Sequence, residues 1–127
     1  MIGTEIDVAA LAAELRRVEM LADMPEDEMR TLAAAGRVVR RAAGEVCPRQ
    51  GDPADFVFIL LEGEVRVTRQ VNGHEEVLVS YGPHTLFGEI PVLMGDEHYW
   101  ASGRAVTECR VFELPKDAFW ELVTSCP

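Results

Sequence analysis

The chain has 127 residues and a net charge of −10, from 12 basic and 22 acidic residues. That length suits one domain with a single core, and the acidic balance argues against direct nucleic-acid binding, because phosphate backbones need a basic face. No apolar run approaches the roughly 20 residues that span a bilayer. Glu5 and Asp7 stand where a signal peptide would be basic, so a cytoplasmic location without a membrane partner is expected.

An amphipathic helix comes first. Val8, Leu11, Leu15 and Val18 recur at helical spacing, and Asp7 is placed to cap the start. A second helix is predicted from Pro25, whose fixed φ suits a first helical turn. Glu26, Asp27 and Glu28 set negative charge against the positive end of its dipole, and Gly36 is placed to end it. The helical part covers about residues 7–36.

From Arg37 the period shortens. The predicted strands are Arg37–Arg41, Glu45–Pro48, Phe56–Leu61, Glu64–Gln70, Glu75–Ser80, Ser102–Val106 and Cys109–Leu114. Gly44, Gly51-Asp52-Pro53, Glu62-Gly63, Asn72-Gly73 and Gly82-Pro83 break them apart. Short strands at this spacing predict a mainly β sandwich or jelly-roll barrel. Asn72-Gly73 signals a type I′ hairpin, and the alternation of Glu64 to Thr68 turns Val65 and Val67 inward. A last helix is predicted from about residue 115 to 125, with Ala118, Phe119, Leu122 and Val123 on one face.

Cys47, Cys109 and Cys126 include no pair at CxxC spacing, so neither a disulfide framework nor a zinc site is indicated. Cys47 and Cys109, in strand-like segments, are expected as buried free thiols. The densest basic segment holds Arg37, Arg40, Arg41 and Arg49. It reads either as the solvated face of a strand pair or as an electrostatic contact for an acidic partner.

Several motifs in order resemble the cyclic nucleotide-binding domain family, which includes catabolite-activator-like sensor domains and regulatory subunits of the cAMP-dependent kinase. Ala43-Gly44-Glu45-Val46 resembles its opening strand turn. The run from Gly51-Asp52-Pro53 through Phe56-Val57-Phe58-Ile59-Leu60-Leu61-Glu62-Gly63 to Val67 is similar to its central signature. Phe87-Gly88-Glu89-Ile90 matches the head of its phosphate-binding cassette, and Arg104 to Cys109 the strand that follows. The resemblance covers roughly Leu21 to the end. It implies an eight-stranded β-roll (a double-stranded β-helix or jelly roll) flanked by helices, with cAMP or cGMP as candidate ligands.

In the family the cassette helix points its N-terminus at the cyclic phosphate, an arginine pairs the charge, and a glutamate accepts from the ribose hydroxyl. Gly88 matches the cassette glycine. Glu89 matches the ribose glutamate, or acts only on the helix dipole. Ile90, Val92 and Leu93 match the apolar side that packs on the roll. Three positions depart from the pattern. Tyr99 stands where the phosphate arginine is expected, with His98 the other candidate for that place; Trp100 replaces a small residue, and Ala101 follows. Pro91 has no N–H to offer the phosphate. His84 stands where the family often has glycine. The cassette is therefore degenerate at its phosphate end, and ligand binding by Phe87, Gly88, Glu89, Ile90, Tyr99, Trp100 and Ala101 is an expectation of the resemblance alone.

Three functional classes remain open. The first is a module that senses a cyclic nucleotide or another small ligand. The second is a ligand-free docking domain in which His98, Tyr99 and Trp100 form a contact surface or pack over an empty site. The third, a metal-dependent cupin-like enzyme, is disfavoured because His74, His84 and His98 are far apart and form no His-x-His pair. The resemblance also implies a fragment of a larger protein, with a C-terminal output domain as partner. Ala101 to Val106 resembles cassettes of bacterial proteins carrying a thioredoxin-reductase-like domain; a helix-turn-helix output of a transcription regulator is the other candidate. The isolated chain is expected to be a monomer and not an enzyme.

Overall fold

The computed structural model describes residues 7–125. Cys126, singled out in the sequence, lies outside the described residues. Helix α1 spans Val8–Leu15, and the Asp7 carboxylate caps it by accepting from the Ala10 N–H at 3.0 Å. Leu11, Leu15 and Val18 are buried, as the stripe predicts, with Val8 packed at its margin. A 3₁₀ turn follows at Glu19–Leu21.

Helix α2 spans Glu26–Ala35. Pro25 is its cap and not its first residue: with ψ 149° it is still extended. Gly36 ends α2 without a left-handed turn, in extended backbone that runs straight into strand β1, Arg37–Arg41. Glycine is needed there for space, since a Cβ would sit 2.5 Å from both the Glu113 carbonyl oxygen and the Phe112 ring.

The remaining strands are β2 (Phe56–Glu62), β3 (Val65–Val71), β4 (His74–Tyr81), β5 (Thr85–Phe87), β6 (Ser102–Ala105) and β7 (Cys109–Pro115). They form two antiparallel sheets, in the orders β1-β7-β2-β5 and β4-β3-β6. With α3 (Glu89–Met94) and α4 (Lys116–Ser125) this is the expected β-roll with flanking helices. Asn72 and Gly73 take φ of 52° and 82°, both positive as a type I′ turn requires.

Three strand expectations need correction. Among the described residues there are seven strands, because Glu45–Pro48 forms only a single bridge, Val46 to Arg104. The segment still runs beside β6, with Cys47 N–H donating to Gly103 O, but Pro48 has no N–H to extend the ladder. Strand β5 was not anticipated, since three residues are too few for a period to show. On β3, Val65 is buried, but the register slips between Val67 and Thr68, so Thr68 joins the core and Val67 is half-buried.

The core runs from Leu15 and Met29 through Val57, Leu60 and Phe112 to Phe119 of α4. Helix α4 seats Phe119 with Ala118 and Leu122 at the margin, while Val123 is exposed. Cys109 is buried as expected; Cys47 is only half-buried.

Candidate ligand-binding site

Strand β5 pairs with β2 so that Phe87 lies opposite Phe58, and the two rings stack with centroids 5.3 Å apart. Gly88 then turns the chain into α3 with φ of +76°. An added Cβ would lie 2.8 Å from the Phe58 ring, so both conformation and packing require glycine. His84, just before β5, also takes a positive φ, 68°, and keeps the turn that glycine usually makes.

Helix α3 survives Pro91. The missing N–H falls in its first turn, where no intrahelical acceptor exists, and the Pro91 carbonyl accepts from Asp96 N–H at 2.8 Å. The packing face differs from expectation. Pro91 and Val92 are buried, while Ile90 and Leu93 are 51% and 42% exposed. Residues three apart share one face of a helix, and here that face is the outer one, continued by exposed Met94.

Tyr99 is buried in the wall beside Phe58, with ring centroids 6.1 Å apart. Its hydroxyl donates to the Phe56 carbonyl oxygen at 2.5 Å and accepts from the Phe56 N–H at 3.1 Å. Burial pushes the phenol up to about 12, against the opposing pull of the Phe56 hydrogen bond. Its backbone is fixed by two further bonds, Gly51 N–H to Tyr99 O and Tyr99 N–H to Asp52 O. His98, the other candidate for the arginine position, is exposed and bridges to Pro53. Trp100 is nearly half exposed, and its indole N–H donates to Asp96 at 2.7 Å.

These residues surround a cavity of about 240 Å³, at the small end for ligand sites, which run from roughly 300 Å³ upward. Phe87, Gly88, Glu89, Ile90, Tyr99, Trp100 and Ala101 all line it, so the structure brings every expected site residue together. The facing wall was not anticipated: Val67 and Arg69 come from β3, and Leu78, Val79 and Tyr81 from β4. The even spacing of Val65, Val67 and Arg69 is the sequence signal that points to this wall.

Four other arginines do not line the cavity. Arg104 pairs with Glu75 at 3.0 Å. Arg37 and Arg40 lie on the exposed face of β1 or at its margin, as the solvated reading expects. Arg41 corrects that reading. It is 4% exposed, bonds Glu113 at 2.7 Å and the Cys47 carbonyl oxygen at 2.6 Å, and lies over the Phe58 ring at 5.1 Å. Its neighbours on β1, Val38 to Arg40, give no sign of this, because the Glu113 that draws it inward is 72 residues away.

The family description "Cyclic nucleotide-binding domain" matches residues 38–126. The chain belongs to the cyclic nucleotide-binding domain family. The domain is 34% identical over 111 residues to a cAMP-dependent protein kinase regulatory subunit of Emericella nidulans, covering 87% of this chain and 26% of that protein. Among solved structures, the regulatory domain of Toxoplasma gondii PKA with cAMP matches with a TM-score of 0.80 and 26% identity, covering 92% of this chain and 46% of that one. The sensor domain of the transcriptional regulator DNR from Pseudomonas aeruginosa shares the fold, with a TM-score of 0.85 at 22% identity over 92% of this chain and 79% of that one. The domain thus spans between a quarter and a third of the curated relatives it matches first. Among the described residues no helix is long and apolar enough to cross a membrane.

Proposed function

We propose that this domain is a non-catalytic regulatory module. It senses a small ligand in the cavity beside α3 and passes its occupancy to an output domain elsewhere in a longer protein. The length of the curated relatives supports the second half of that reading. One observation carries the first half: the cavity is formed and open, but the Tyr99 hydroxyl at the arginine position is committed to Phe56. A neutral, occupied hydroxyl cannot replace a bidentate guanidinium. The Pro91 nitrogen adds no donor.

Glu89 remains available for a ligand hydroxyl, with no partner among the described residues. Cyclic nucleotides should therefore bind, but at least tenfold to a hundredfold more weakly than a charge-assisted pair would allow. Isothermal titration with cAMP and cGMP tests this. A Kd in the high-micromolar range supports it, and one near 1 μM or below overturns it.

A second reading has its own observation. Ile90, Leu93, Met94 and Trp100 expose apolar surface on and beside α3. A docking domain, of a fused thioredoxin-reductase-like enzyme or of a transcription regulator, would use that surface without a ligand. Complete absence of nucleotide binding would favour it.

A further inference from the structure

The cavity contains a cation that the cassette does not supply. Among the residues that line it, Arg69 is the only basic side chain. Two arginines on other strands are already engaged: Arg41 with Glu113, and Arg104 with Glu75. The Arg69 side chain has no ion pair or hydrogen bond among the described residues, although Glu76 lies opposite it in the β3–β4 register.

The register fixes where Arg69 stands. Thr68 pairs with Ser102, so Arg69 is one position further on, beside the stretch of Ala101 and Trp100 that leads out of the cassette. Val67, two positions back, pairs with Gly103 and also lines the cavity. The backbone beside Arg69 is held from outside: Gln70 N–H donates to Gln50 Oε1, and Gln50 N–H donates to Ser102 Oγ, each at 2.8 Å. Arg69 therefore lines the cavity from a fixed strand, while Glu89 lines it from the start of α3.

We propose that Arg69 is the anion-binding residue of this site, replacing the missing cassette arginine from the opposite wall. This rests on the ligand-sensing reading above. The ligand class that fits is an organic anion with a single phosphate-like group at the β3 side and an apolar body against Leu78, Val79 and Trp100. A hydroxyl or amino donor at its other end meets Glu89. A planar guanidinium offers two parallel donors to such an anion, and the apolar walls lower the local dielectric that would otherwise screen it.

The test compares cAMP with adenosine, which has a similar body and no charge, by titration of the full chain. Wild-type protein should bind cAMP about tenfold more tightly than adenosine. Arg69→Gln should bring the two affinities together, and Arg69→Lys should keep part of the difference. Because Arg69 is exposed and unpaired, an unchanged melting temperature shows that the variant is folded. If Arg69→Gln keeps the tenfold preference, the role of Arg69 is overturned while the sensing reading stands. If wild-type protein binds neither compound, the sensing reading fails and the role of Arg69 with it.

Discussion

The Tyr99 hydroxyl closes the edge of a sheet at Phe56. Strand β5 ends with Phe87 opposite Phe58, and the chain leaves the sheet at Gly88. Phe56, two residues along β2, faces no strand on that side, and on the other side it lies opposite Pro115. Tyr99 supplies the missing donor and acceptor together. In this chain the residue at the arginine position therefore completes the scaffold.

Tyr99→Phe should destabilise the domain by about 1–3 kcal/mol, because both backbone groups of Phe56 lose their partner in a largely dry setting. Urea unfolding would measure the loss. A change below about 0.5 kcal/mol would show that water replaces the hydroxyl.

The same burial sets an alkaline limit. The phenol is raised from 10 to about 12 in the folded state. A group with a raised folded value contributes stability in full below its unfolded value, and loses it as pH climbs through the folded one. Stability should fall between about pH 10 and pH 12 with a slope of up to one proton, and Tyr99→Phe should remove that component. Denaturation midpoints across this range, in both proteins, provide the comparison.

Cyclic-nucleotide binding should be recoverable. Tyr99→Arg combined with Trp100→Ala places a guanidinium at the cassette position and clears the indole beside it. Affinity for cAMP should rise about tenfold or more. The double variant should also be less stable than wild type, since Phe56 loses its hydroxyl partner. Unchanged affinity in a folded double variant would mean that the absent Pro91 donor limits binding.

Gly88→Ala should cost about 1–3 kcal/mol through its left-handed backbone, with more from the 2.8 Å approach to Phe58. Loss of any ligand response should accompany it, because Phe58 supports Phe87, Gly88 and Tyr99 at once. Thermal melting and ligand titration together read both effects.

Breaking the buried pair should be severe. Arg41→Met leaves Glu113 at 7% exposure with only Arg37 beside it. Removing one partner of such a pair costs about 3–5 kcal/mol, with the remaining Arg37 contact holding the loss near the lower figure. Replacing Glu113 by Gln in the same background should restore part of it, which a double-mutant cycle would show.

Much of this fold is legible in the residues. Asn72-Gly73 announces its hairpin because only positive-φ residues make that turn, and the first helix shows its stripe at Leu11 and Leu15. The cassette is legible because Phe87-Gly88-Glu89 is local in sequence. What stays hidden depends on distant partners. Arg41 looks like any strand arginine until Glu113 draws it inward. Tyr99 looks like an idle phenol until Phe56 claims its hydroxyl. Arg69 lines the cavity from the wall that faces the cassette, and only its even spacing from Val65 and Val67 hints at that in the sequence. Ile90 and Leu93 look like packing residues, yet a helix this short has only one buried edge, which Pro91 and Val92 occupy.

Strand β4 is an outer strand of its sheet, and Val77, Leu78 and Val79 are all substantially exposed along it. Such an edge is a template on which another copy could add a strand. Here it is bounded by Glu75 and Glu76 at one end and by Gly82-Pro83 at the other, residues that resist strand addition by charge and by a missing donor. The net charge of −10 opposes the close approach of a second copy. High salt or acid, which weakens that repulsion, should make this cavity-lining hairpin the place where copies pair first.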